Sequence, residues 1–215
     1  MTIGLAIVLS RGVVAVADGR VTNALNVADA THDNCNKLEH VHQRLLAVIG
    51  GVEMVSRRAV QEVRERNASG PREVIAAAAE GLDFGWSVLK TAHPSEYANH
   101  NHFRAAVLLA GVDEADKPYV GLVDQRKGHA MLVTGPNQKH LAFGIFSTDD
   151  AASHNVMDAV RERIQFLPPD EQVGARILAQ AAAGAIGEVA GRSRTVGGIV
   201  RAAYLTATGC EELPV

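Results

Sequence analysis

Three residue types near the start of the chain are able to do chemistry together: the hydroxyl of Thr2, the carboxylate of Asp18 and the ammonium of Lys37. A threonine hydroxyl is a poor nucleophile until a base takes its proton. A free α-amino group has a reference pKa of about 7.7–8.0, so Thr2 supplies nucleophile and base at once when Met1 is removed. A cation held beside that amine lowers its pKa and stabilises developing negative charge. A carboxylate paired with the cation fixes its position and itself stays ionised. Methionine ahead of a residue as small as threonine is ordinarily removed, which exposes the Thr2 amine. With methionine in place, Thr2 has no free amine and this chemistry is blocked.

The elements that must bring the three together begin at the terminus. An apolar run (Ile3, Leu5, Ile7, Val8) and a second one (Val13 to Ala17) flank a polar corner at Ser10-Arg11-Gly12, which is a hairpin signal. A hairpin returns its far end to its beginning, so the pattern predicts Asp18 close to Thr2. Lys37 follows after a polar, turn-rich stretch, Val21 to Asn36, read as a loop.

Further along, Arg44 to Ile49 reads as a buried strand ending in Gly50-Gly51. From Val52 the period changes, with Val52, Val55, Ala59, Val60 and Val63 on one helical face. Asn67 to Gly70 breaks that helix. Pro71 suits the first turn of a second one, which His93-Pro94 closes. Strands are predicted over Phe103 to Ala110, Pro118 to Asp124, His129 to Thr134 and Leu141 to Phe146. A helix capped by Ser147 follows, running to about Gln165. Another opens at Pro168-Pro169-Asp170-Glu171 and passes Val189. Ile199 to Leu205 is the last clear strand, before a Thr208-Gly209 turn and a short tail. His93, His100 and His102 have no carboxylate or cysteine at ligand spacing and read as a solvated loop.

Consecutive helices argue against a strictly alternating parallel sheet. The element order predicts an α/β (α+β) fold of two antiparallel sheets packed face to face, each flanked by a helix pair: a four-layer αββα sandwich. No linker or internal repeat divides the chain, so residues 1–215 are expected to form one domain. At 215 residues, 47% hydrophobic and 21% charged, the composition is that of a globular protein able to bury a core. A net charge of −3 gives no basic footprint for nucleic acid or an anionic membrane. Two cysteines are too few for a disulfide framework or a cysteine metal site, and no signal or spanning segment is visible, so cytoplasm is the expected compartment.

Thr2-Ile3, Ala17-Asp18-Gly19-Arg20, Asn36-Lys37-Leu38, Val48-Ile49-Gly50-Gly51, Thr195-Val196-Gly197-Gly198 and the ending Thr208 to Leu213 together resemble the proteasome β-subunit family of N-terminal-nucleophile hydrolases. Within it the chain is most similar to the bacterial proteasome homologues, with the HslV peptidase a near relative. Each motif alone is weak; their order and spacing carry the likeness over nearly the whole chain. Asp18 lies 16 residues after Thr2 and Gly51 lies 14 after Lys37, as in the family, with the loop before Lys37 a few residues longer.

The resemblance implies the N-terminal-nucleophile hydrolase fold and a threonine peptidase without metal or cofactor. It implies Thr2 as nucleophile, Lys37 and Asp18 as its supporting pair, and the N–H of Gly51, with Gly50 beside it, as oxyanion donor. Ser193 stands near the position of a group that steadies the terminal amine. Also implied are stacked rings of six or seven subunits, an unfolded polypeptide or peptide as substrate, and a partner ATP-dependent unfoldase. The chain departs from the family at Ser193 and Val196, where an aspartate three residues before a Ser/Thr-Gly pair is usual. It departs again at Gly144-Ile145-Phe146-Ser147, where Gly-Ser-Gly is usual. Those departures leave two alternatives on the same fold: a ring-forming scaffold without catalysis, and a small-molecule amidohydrolase.

Overall fold

The computed structural model describes residues 2–22, 30–100, 105–124, 129–134, 142–143 and 150–215. In chain order the elements are β1 (Gly4–Val8), β2 (Gly12–Ala17), β3 (Val21–Thr22), β4 (Ala30–His32), β5 (Leu38–His42) and β6 (Leu45–Gly51). Helices α1 (Glu53–Glu65), α2 (Pro71–Ala92) and α3 (Pro94–His100) follow. Then come β7 (Ala105–Val112), β8 (Pro118–Asp124), β9 (His129–Thr134) and β10 (Ala142–Phe143). The chain closes with α4 (Asp150–Ile164), α5 (Glu171–Ala190), β11 (Arg201–Thr206) and β12 (Gly209–Leu213).

The first hairpin forms as its pattern predicts, with Gly4 opposite Ala17 and Val8 opposite Val13. Every residue of both strands is buried. The reason is that both faces are covered. Leu5, Ile7, Val14 and Val16 pack with Leu178, Ala182 and Ile186 of α5, and Ala6, Val8, Val13 and Ala15 meet Val48, Leu108 and Val120. Strands covered on two faces read as continuous apolar runs instead of alternating ones.

This hairpin is the centre of an antiparallel sheet of order β10-β1-β2-β11-β12. A second antiparallel sheet runs β5-β6-β7-β8-β9 in sequence order. Its outer face packs on α1 and α2, through Val55, Val60, Val74 and Leu82 against Ala47, Val107 and Leu109. The protein is therefore a mixed α+β fold of two antiparallel sheets with helices outside each. Between α1 and α2 the approach is very close: a Cβ on Gly81 would lie 2.6 Å from the Ala59 Cα, so only glycine fits there. At the start of α5, the Asp170 side chain accepts from Gln172 N at 2.9 Å and Val173 N at 3.2 Å, capping two orphan donors.

Several expectations are corrected. The stretch read as a loop from Val21 to Asn36 contains a two-stranded ribbon, β3 with β4. The tail after Thr208 is a strand, β12, fully paired with β11. The solvated loop expected at the histidines is helical over α3, where Tyr97 meets Trp86 edge-on at 6.2 Å. The last clear strand begins at Arg201, not Ile199; Phe103, the expected start of an earlier strand, lies outside the described residues. The Ser147 cap, Ile145, the rest of Gly144 to Phe146, Leu141, Asn101 and His102 lie outside the described residues. Among the described residues no helix is long and apolar enough to cross a membrane, and Cys35 and Cys210 are free thiols.

His42, at the end of β5, ties the second sheet to the α1–α2 turn. Its Nδ1 accepts from Arg44 N at 3.2 Å, which leaves Nε2–H to donate to the Ala68 carbonyl at 3.1 Å. Burial holds its pKa below the ordinary 6.5, with the Ala68 carbonyl opposing and His40 reinforcing the shift. A folded-state pKa lowered below the unfolded value contributes stability that is full above that unfolded value and is lost as pH falls through the folded one. Urea unfolding from pH 7.5 down to 5 is therefore expected to show a smaller loss of stability in His42→Gln than in the unaltered protein below pH about 6.5.

Candidate active site

Asp18 directly follows β2, and the hairpin closes on it twice. Asp18 N donates to the Ile3 carbonyl at 3.0 Å, and Ile3 N donates to Asp18 Oδ1 at 3.1 Å. The carboxylate is thus held against the residue next to Thr2, as hairpin geometry requires. Thr2 itself is 4% exposed, Asp18 1% and Lys37 5%.

Lys37 reaches this corner from the other sheet. Its carbonyl accepts from Ile49 N at 2.9 Å, which fixes its backbone against β6. Its Nζ donates to Asp18 Oδ1 at 3.0 Å and also to the Arg20 carbonyl. One of three N–H groups remains. Burial pushes the Asp18 carboxyl above its ordinary value, and the Lys37 ammonium with the N–H groups of Gly197 and Ile3 pulls it back. That opposition is the signature of a carboxylate kept in place by its donors.

Asp18 Oδ2 accepts from Gly197 N at 3.2 Å, while Gly19 N donates to the Gly197 carbonyl at 3.0 Å. The late glycine pair is therefore docked directly on the acid. Gly198 sits at φ +74°, and a Cβ there would lie 2.3 Å from the Asp33 carbonyl oxygen, so the position demands glycine. Arg20 completes the clamp. It grips Asp33 with both fork arms, Nε to Oδ1 at 2.7 Å and Nη2 to Oδ2 at 3.0 Å, and its Nη1 donates to the Val196 carbonyl at 3.2 Å.

A cleft of about 40 Å³ opens at this corner, with Thr2, Lys37, Ile49, Gly51 and Glu53 in its walls. The direction of the Gly51 N–H follows from the strand. Ile49 N–H points across to Lys37, just ahead of β5, and residues two apart in a strand point the same way. Gly51 N–H thus lies on the β5 side of β6, past the beginning of β5, and Gly51 lines the cleft. Its peptide is pinned from behind: the Ser56 hydroxyl, fully buried on α1, donates to the Gly50 carbonyl at 2.7 Å. In a trans peptide the carbonyl of Gly50 and the N–H of Gly51 face opposite ways, so Ser56, by holding the carbonyl, fixes the direction of an N–H in the cleft wall. Gly51 adopts φ +81°, which suits glycine alone.

The expected residues thus divide. Thr2, Asp18, Lys37 and Gly51 come together at one corner. Ser193 makes its hydrogen bonds within its own loop, its Oγ lying 3.1 Å from Thr195 Oγ1 and accepting from Thr195 N at 3.2 Å. Gly197, not Ser193, is the residue of that loop that touches Asp18. The roles of Arg20, Asp33, Ser56 and Glu53 escape a reading of the sequence. Only Arg20 carried a signal, its place in the Asp18-Gly19-Arg20 run. Among the described residues no group of three His, Cys, Asp or Glu side chains is arranged to hold a metal ion. No protein-family model matches the chain, and no curated protein matches its sequence.

Proposed function

We propose that the chain is a threonine peptidase with the N-terminal-nucleophile hydrolase fold, acting through Thr2 once Met1 is removed. The observation that carries this reading is the buried Asp18–Lys37 pair, whose Lys37 lines the same cleft as Thr2. A buried ion pair is costly to keep in a fold, and such a pair beside a cleft is a functional-site candidate.

The reaction balances with the groups present. The Thr2 α-amine takes the hydroxyl proton as Oγ1 attacks the carbonyl carbon of the substrate. The carbonyl oxygen becomes an oxyanion, which the Gly51 N–H receives. Collapse breaks the C–N bond, and the leaving amine takes the proton from the Thr2 ammonium. Water then attacks the ester, the amine again acting as base, and Thr2 Oγ1 leaves with a proton. Lys37, with two N–H groups spent on Asp18 and the Arg20 carbonyl, directs the third toward the nucleophile.

The resemblance to the proteasome β-subunits adds the rest of the reading: stacked rings of this chain in the cytoplasm, with unfolded polypeptide or peptides as substrate and an ATP-dependent unfoldase as partner. A second reading, a ring-forming scaffold without catalysis, is favoured by one observation. Ser193 stands where the family has an aspartate and bonds within its own loop to Thr195, and Val196 has no hydroxyl, so neither replaces the groups that usually steady the amine.

The test is peptide hydrolysis by two forms of the protein. Protein whose intact mass lacks methionine is expected to cleave fluorogenic peptides, and a form that retains it is expected to be silent. Silence in both, with correct ring assembly, supports the scaffold. Ser56 offers a finer check. Ser56→Ala frees the Gly50–Gly51 peptide to turn and is expected to lower kcat by about tenfold with little change in KM. Steady-state kinetics read the split directly.

A further inference from the structure

We infer that the cleft selects a cationic side chain, lysine or arginine, at the residue whose carbonyl Thr2 attacks, and that Glu53 is the residue that selects it. The inference rests on the peptidase reading above. Among the described residues the cleft wall carries two cations and one anion: Arg20, Lys37 and Glu53. Both cations are committed, Arg20 to Asp33 and the Val196 carbonyl, Lys37 to Asp18 and the Arg20 carbonyl.

Glu53 is only half committed. Its Oε1 accepts from Arg57 Nε at 2.8 Å and lies 3.7 Å from the Cys35 Sγ. Its Oε2 has no hydrogen-bond partner among the described residues, and its side chain is 40% exposed at the rim. Arg57 divides its charge, since its Nη1 bonds to Glu39. The polar valence left open to a substrate side chain is therefore an acceptor carrying negative charge.

The walls suit the rest of such a side chain. Val21 and Ile49 line the cleft beside Thr2. A lysine or arginine lays its methylene stem along apolar surface and carries its charge beyond it, here to the rim where Glu53 stands. The resulting charge-assisted hydrogen bond is stronger than a neutral one. An acidic substrate side chain would instead meet a carboxylate offset only through its other oxygen, by Arg57.

The experiment uses three peptidyl epoxyketones that differ only in the residue next to the warhead: arginine, leucine or glutamate. Protein lacking Met1 is incubated with each, and adduct formation is followed by intact mass. The arginine compound is expected to label about tenfold faster than the leucine compound, with glutamate slowest. The arginine-to-leucine ratio is read within each variant, so a general change in reactivity cancels. It is expected to fall close to one in Glu53→Gln, and glutamate is expected to overtake arginine in Glu53→Lys. Equal labelling by all three compounds in the unaltered protein overturns the inference while leaving the peptidase reading intact. So does a ratio preserved in Glu53→Gln. No adduct from any compound overturns the peptidase reading, and this inference with it.

Discussion

Lys37→Met is expected to destabilise the fold by about 3–5 kcal/mol near neutral pH, because it leaves the buried Asp18 carboxylate without its counter-ion. Asp18 keeps the N–H groups of Ile3 and Gly197, which are too few to offset the loss of an ammonium 3.0 Å away. Asp18→Asn fails differently. It strands the Lys37 ammonium, and its amide cannot accept on both sides as the carboxylate does. The double variant removes both charges and is expected to recover part of the loss, so the two single effects sum to more than the double effect.

The pH dependence of Lys37→Met gives a second readout with a definite sign. Burial already raises the Asp18 carboxyl above its ordinary 3.8, and removing Lys37 removes the strongest opposing influence. A folded-state pKa above the unfolded one contributes stability that is full below the unfolded value and is lost as pH rises through the folded value. The variant is therefore expected to lose stability relative to the unaltered protein as pH rises above about 4, toward neutrality. Urea midpoints for the four proteins at pH 4, 5.5 and 7 decide the matter. Equal midpoints at all three would show that the pair does nothing for the fold.

Thr2→Ala is expected to separate activity from stability. The Thr2 hydroxyl makes no hydrogen bond among the described residues, and the side chain is small, so loss of its methyl and hydroxyl is expected to cost roughly 1 kcal/mol or less. Peptide hydrolysis is expected to fall by about 10³-fold or more, since among the described residues no other hydroxyl or thiol lines the cleft. Thr2→Ser keeps the hydroxyl and is expected to retain part of the rate. Thermal unfolding and peptide turnover on the same preparations separate the two effects. Undiminished hydrolysis by Thr2→Ala would place the nucleophile elsewhere.

How much of this could be read from the chain depends on the range of each interaction. The terminal hairpin was legible because two apolar runs flanking Ser10-Arg11-Gly12 can bury themselves on both faces only by folding back together. That placed Asp18 beside Thr2. Lys37 was legible only as a proximity argument, since its approach depends on the second sheet. The grip of Arg20 on Asp33 and of Gly197 on Asp18 crosses 13 and 179 residues respectively, and nothing local announces either. Ser56 looks like any small polar residue inside a helix until the Gly50 carbonyl is seen beneath it. Glu53 reads as an acid in the first turn of a helix, where the dipole favours it.

The missed elements have local causes too. Two- and three-residue strands such as β3 and β4 are too short for alternation to be read. Proline after His93 looks like a stop, and His93 is indeed non-helical at φ −133°, ψ 61°. The chain restarts at once because proline is also favoured in a first helical turn, and Tyr97 then docks on Trp86.

The most direct test of the central claim is the intact mass of the protein after incubation with a peptidyl epoxyketone, alongside Thr2→Ala. The account predicts a mass lacking methionine and gaining one inhibitor, with no adduct on the variant. A mass lacking methionine with no adduct, in correctly assembled protein, would contradict Thr2 as the working nucleophile.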